Sequence, residues 1–117
     1  MTQKVEFCID QGTDFACSFL CVDGAGNPID FTGYTARMQL KRFFYGSPID
    51  ELSSENGRLV FDNARGEISA TFPHDKTALY PPGKLYFDML IGQNGQTVYR
   101  LFEGIARVSP GVTNELL

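Results

Sequence analysis

A chain of 117 residues with 43% hydrophobic and 21% charged residues has the length of one domain and the composition of an ordinary folded one, which excludes wholesale disorder and low-complexity scaffolds. Ten Lys and Arg against fourteen Asp and Glu leave a net charge of −4, which opposes nonspecific binding to a phosphate backbone. No apolar stretch approaches a membrane span and the start, Met1 to Glu6, has no signal-peptide core, so a soluble, unexported protein with no membrane partner is expected.

Taken in chain order, the pattern has period two. Lys4 to Ile9 sets Val5 and Phe7 against Lys4 and Glu6. Phe15, Cys17, Phe19 and Cys21 share one face of the next run. Thr35 to Lys41 alternates cleanly, with Ala36, Met38 and Leu40 inward and Arg37, Gln39 and Lys41 in water. Arg58 to Phe61 is a short strand, and Glu67 to Phe72 places Ile68, Ala70 and Phe72 inside. Leu85, Phe87, Met89 and Ile91 repeat that logic, and Thr97 to Val108 makes a long last strand with a bulge or bend expected at Gly104.

Turn chemistry separates these strands at Asp23 to Pro28, Asn56-Gly57, Asn63 to Gly66, Pro81-Pro82-Gly83 and Gln93-Asn94-Gly95, the Asn-Gly pair at 94–95 being a hairpin signal. The sole helical candidate, Asp75 to Tyr80, is barely more than a turn. The pattern predicts an all-β fold: a single immunoglobulin-like antiparallel β-sandwich of about seven strands over residues 1–109. Residues 110–117 leave the strand pattern and read as a C-terminal tail, either frayed or an arm docking on a neighbour through Leu116 and Leu117.

Candidate chemistry is sparse. Cys8, Cys17 and Cys21 are odd in number and lack a CxxC pair, which points to free buried thiols and away from zinc or redox motifs. His74 is the lone histidine, and its place between Pro73 and Asp75 suits a surface residue beside a helix N-terminus better than a nucleophile's base. The Asp23 to Asp30 segment lacks the ligand spacing of a calcium loop, Gly24 and Gly26 do not make a dinucleotide fingerprint, and no cofactor is expected. Asp50, Glu51, Glu55 and Glu67 resemble a carboxylate set for glycoside hydrolysis only as any acidic loop would.

Lys41-Arg42 followed by Phe43-Phe44-Tyr45 combines the ingredients of single-strand nucleic-acid stacking, but it fits no RNA-recognition consensus and sits in an acidic chain. Phe43, Phe44 and Tyr45 read instead as a partly exposed patch at a protein interface. Tyr34, Tyr80, Tyr86 and Tyr99 would serve a sugar-stacking platform or ordinary packing.

Four stretches carry a resemblance that spans nearly the whole chain. They are Asn27 to Leu40 (NPIDFTGYTARMQL), Ser54-Glu55-Asn56-Gly57 followed by Gly66-Glu67-Ile68, Leu79 to Asp88 (LYPPGKLYFD), and Leu101-Phe102-Glu103-Gly104 with Val108-Ser109-Pro110. Together they resemble small β-sandwich proteins of tailed bacteriophages, related to the N-terminal domain of baseplate upper proteins. Phe31 replaces the family's usual Leu, and Phe43-Phe44-Tyr45 stands where a Pro/Ser-rich loop is expected.

The resemblance implies a non-enzymatic virion protein, made in the host cytoplasm and assembled with other phage structural proteins, or with its own copies, in the tail, baseplate or neck. A capsid decoration protein and a host-glycan-binding module are the alternatives. Within the motifs, Asp30 is expected to accept bonds from backbone amides of the next turn, Gly33 to adopt an unusual backbone angle, and Tyr34 to pin the corner through its ring and hydroxyl. Pro81, Pro82 and Gly83 would fix entry into the following strand.

Overall fold

The computed structural model describes residues 2–93 and 98–113. Eight strands form: β1 (Gln3–Asp10), β2 (Phe15–Leu20), β3 (Tyr34–Lys41), β4 (Asp50–Ser53), β5 (Leu59–Asp62), β6 (Glu67–Phe72), β7 (Gly83–Gln93) and β8 (Val98–Ser109), with one short helix, α1 (His74–Thr77), before β7. Five strands make one sheet in the order β1-β8-β7-β3-β4, and β2-β6-β5 make the other. These are the two packed sheets of an all-β, immunoglobulin-like sandwich.

The alternating residues behave as their period demands. Ala36, Met38 and Leu40 of β3, Leu85, Phe87, Met89 and Ile91 of β7, and Ile68, Ala70 and Phe72 of β6 are all buried, while Arg37, Ala16, Ser18 and Thr71 on the opposite faces are exposed. Phe19 of β2 bridges the sheets, its ring 4.8 Å from Phe102 and 6.4 Å from Phe87. Each Leu, Ile, Met or Phe side chain so withdrawn from water contributes about 1.5–3 kcal/mol.

Several elements differ from the sequence reading. β4 is an additional strand on residues read as an acidic loop, and it hydrogen-bonds to β3 with Met38 opposite Leu52. One pairing is parallel, β1 beside β8, with Val5 opposite Gly104. Gly104 is not a bulge: a Cβ there would lie 1.7 Å from the Val5 carbonyl oxygen, so its bare backbone is what lets β1 approach. The register shift lies elsewhere, between Met89 and Leu90, where Leu101 is the extra residue on β8. The helix is shorter than the segment 75–80 and starts at His74. The Asn94-Gly95 hairpin and the tail residues Leu116 and Leu117 lie outside the described residues.

Candidate protein-interaction surface

β3 delivers Lys41 to one end of the sandwich, and the chain returns to the sheet where the Ile49 amide donates to the Leu40 carbonyl, 2.7 Å. Between them Gly46 takes a φ of +94°, a left-handed angle that closes the β3–β4 loop without a Cβ clash. The loop lifts Phe43, Phe44 and Tyr45 into solvent at 53%, 82% and 76% exposure. Phe43 and Tyr45 stack on one another, centroids 5.7 Å apart, and Phe44 lies against Tyr86 of β7 at 4.3 Å. These contacts pack the loop on itself and on β7 while leaving one large ring, Phe44, mostly in solvent.

Beside this loop, the outer face of the five-stranded sheet forms a groove of about 360 Å³ whose walls include Phe44, Tyr86, Gln39 and Lys41. Its floor is ionic: Arg100 pairs with Asp88 at 3.2 Å and with Glu103 at 3.5 Å. In a regular strand residues three apart face opposite sides. The extra residue at Leu101 turns Arg100 outward, so that Arg100 and Glu103 share one face. Around the corner, Arg42, Phe43, Pro82, Gly83, Lys84 and Tyr86 line a second, shallower hollow.

The motif residues occupy two corners. Asp30 Oδ1 accepts from the Thr32 amide at 2.9 Å and its hydroxyl at 2.6 Å, and Gly33 follows with a φ of +83°. These bonds hold the Asp30 carboxyl below its usual range, the Thr32 hydroxyl contributing most. Tyr34 packs its ring edge-on against Phe31, centroids 6.5 Å apart. Among the described residues the tyrosine hydroxyl that locks a corner is that of Tyr80, buried in the β6–β7 connection, which donates to the Asp50 carboxylate. Pro81 and Pro82 then lead into β7, where Gly83 sits at a φ of +111°.

Asp50 also receives two parallel bonds from Arg58, 2.8 and 2.7 Å, while the same guanidinium donates to the Glu51 and Thr71 carbonyls. Burial pushes the Asp50 carboxyl up, but the Arg58 and Tyr80 hydrogen bonds more than offset this and leave it lowered. Burial, then the neighbouring carboxylate, push the Tyr80 phenol up. This cluster joins β4, the start of β5, the end of β6 and the β6–β7 connection.

The carboxylates considered for hydrolysis are therefore separated. Asp50 is committed to Arg58, Glu51 accepts from Gln39 Nε2 at 2.7 Å, Glu55 is exposed on a turn, and Glu67 lies on the other sheet. His74 stands at the start of α1, its Nδ1 2.9 Å from Asp14 Oδ1, which also accepts the His74 amide. Those contacts, the amide bond first, lower the Asp14 carboxyl.

All three thiols are free, but Cys8 is exposed on β1, contrary to the buried setting expected of it. Burial raises Cys17 and Cys21 to about 11 each. The four tyrosines do not share a platform: Tyr86 pairs with Lys41 at one end of the sheet, Tyr34 with Gln93 and Tyr99 with Ile91 toward the other, and Tyr80 is buried. Among the described residues no group of three His, Cys, Asp or Glu side chains is placed to hold a metal ion, and no helix is long and apolar enough to cross a membrane.

No family model matches the chain, and no curated protein matches it. Among solved structures it is similar to a chain in the crystal structure of ICOS in complex with ICOS-L and an anti ICOS-L VNAR domain, with a TM-score of 0.51 and 16% identity. The match covers 92% of this chain and 56% of the other, so the chain spans a little over half the length of that structural neighbour. The likeness is one of fold: an immunoglobulin-like β-sandwich.

Proposed function

We propose that the chain is a non-enzymatic assembly module of a tailed-phage virion, in the tail, baseplate or neck, that binds other structural proteins through its β3–β4 loop. The observation that carries the binding reading is the exposure of Phe43, Phe44 and Tyr45 on an ordered loop beside the ionic groove. Large aromatic rings held in water at a fixed position favour a partner that covers them, and protein interfaces are enriched in such anchors. The phage setting rests on the resemblance of the Asn27 to Leu40 and Leu79 to Asp88 stretches. Support for a non-catalytic role comes from the commitment of Asp50 to Arg58 and Tyr80, and of His74 to Asp14.

The purified chain, mixed with fractionated tails and with emptied heads of a phage that encodes it, is expected to sediment with tails, and Phe44→Asp to abolish this. Sedimentation with heads would replace the reading by capsid decoration. Failure to bind either, together with glycan binding lost on Tyr86→Ala, would replace it by a host-glycan module.

A further inference from the structure

The chain is acidic overall, yet its aromatic loop is basic. Lys41 and Arg42 precede Phe43, and Lys84 lies beside them at the start of β7, its Nζ 5.9 Å from the centre of the Tyr86 ring. These are three of the ten Lys and Arg, and none is ion-paired among the described residues, whereas Arg37, Arg58, Arg100 and Arg107 are. The carboxylates closest to the loop in the fold are already engaged: Asp50, where the loop rejoins the sheet, with Arg58 and Tyr80, and Asp88 and Glu103, in the adjoining groove, with Arg100. Asp75 of α1 and Asp10 and Asp14 beside the β1–β2 turn also lie at this end, Asp14 being paired with His74.

The opposite end carries the complementary charge. The β2–β3 and β5–β6 connections meet there, held by the Cys21 amide on the Gly66 carbonyl, 2.7 Å, and the Phe31 amide on Asn63 Oδ1, 2.8 Å. They present Asp23, Asp30, Asp62 and Glu67 against the single cation Arg65. Asp23 accepts the Asn27 and Ala25 amides, which hold it below the usual carboxylate range and keep it ionised.

We propose that the occupant of the basic aromatic loop is a second copy of this chain, docked by its acidic β2–β3 and β5–β6 end. Residues on one end meet different residues on the other, so the contact is heterologous and repeats head to tail, closing into a ring or extending as a stack. Phe43, Phe44 and Tyr45 supply the apolar area and the charges set the orientation. This deepens the assembly reading and rests on its choice of the loop.

The test is sedimentation velocity of the whole chain over a concentration series, at about 20 mM salt and at several-fold higher salt, where screening shortens the reach of the charges. Concentration-dependent association that weakens with salt is expected. Lys41→Glu/Arg42→Glu and Glu67→Lys/Asp62→Lys are each expected to stay monomeric alone and to associate when mixed, because each restores the charge the other lost. The mixed pair guards against misfolding, since an unfolded variant would not rescue its partner. A monomeric wild type at low salt, association indifferent to either swap, or swaps that fail to rescue each other would overturn the proposal. Loss of self-association with tail sedimentation retained would overturn this inference alone, and self-association without tail or head binding would overturn the virion reading alone.

Discussion

Tyr80 reaches from the β6–β7 connection to hydrogen-bond the carboxylate of Asp50 on β4, so a corner below one sheet is tied to the edge strand of the other. With Arg58 bidentate on the same carboxylate, the three side chains form one satisfied unit in which each polar atom depends on the others. Removing one member leaves a half-buried charge without its partner, the costly case for such pairs. Asp50→Ala and Arg58→Ala are expected to lower unfolding free energy by about 2–3 kcal/mol, and Tyr80→Phe by about 1–2 kcal/mol, in urea titrations. The double variant Asp50→Ala/Arg58→Ala is expected to cost less than the sum of its singles, a coupling a double-mutant cycle measures directly.

The same cluster contributes to the pH range of stability at both limits. Asp50 has a folded carboxyl below its unfolded value, so its contribution is present above about pH 4 and is lost as pH falls through the folded value. Tyr80 is raised, so the folded state holds its proton more tightly; that contribution is present below about pH 10 and lost as pH rises beyond it. A plateau between these limits is expected in thermal melts, and Tyr80→Phe is expected to flatten the alkaline limb and, because the Tyr80 hydroxyl also helps hold the Asp50 carboxyl down, to shrink the acid limb in part. An alkaline limb unchanged in Tyr80→Phe would assign it to other groups.

How much of this was legible follows from what each signal consists of. The alternation of β2, β3, β6 and β7 is a local property, and burial of Phe19, Met38, Ile68 and Phe87 followed it. β4 was not, because Asp50-Glu51-Leu52-Ser53 has no alternating face: it is an edge strand whose pairing to β3 and whose ion pair to Arg58 come from residues distant in the chain. The role of Tyr80 is hidden for a related reason: it follows turn residues as Tyr34 does, and only the three-dimensional position of Asp50 marks it. The aromatic loop was readable because three consecutive large rings at a strand end have nowhere inside to go; its cationic neighbour Lys84, more than forty residues on, was not.

Gly104 shows a constraint of the same long-range kind. The 1.7 Å separation between a built Cβ and the Val5 carbonyl is backbone against side chain, with no flexible end to yield. Gly104→Ala is expected to displace β1 from β8, raising amide exchange across Gln3–Asp10 while β2, β6 and β5 keep their protection. The expected loss is about 2–3 kcal/mol, in the range of overpacked cores. Exchange that stayed slow in β1 would show that the parallel pair tolerates the methyl by shifting.

Thiol reactivity separates the three cysteines by burial. The thiolate is the nucleophile, and burial holds Cys17 and Cys21 near 11, so at neutral pH both are almost wholly protonated as well as shielded. Cys8 is exposed on β1, where its strand neighbour across the ladder is Arg107. Alkylation of the native protein at about pH 7.5 is expected to label Cys8 quickly and the other two only as the fold opens, with mass spectrometry counting one adduct early and three after denaturation. The rate at Cys17 then reports opening of β2 against β6, because its register partner Ala70 lies in the buried core. If Cys17 were labelled as fast as Cys8, β2 would be opening without global unfolding, and the three-stranded sheet would be the weaker half of the sandwich.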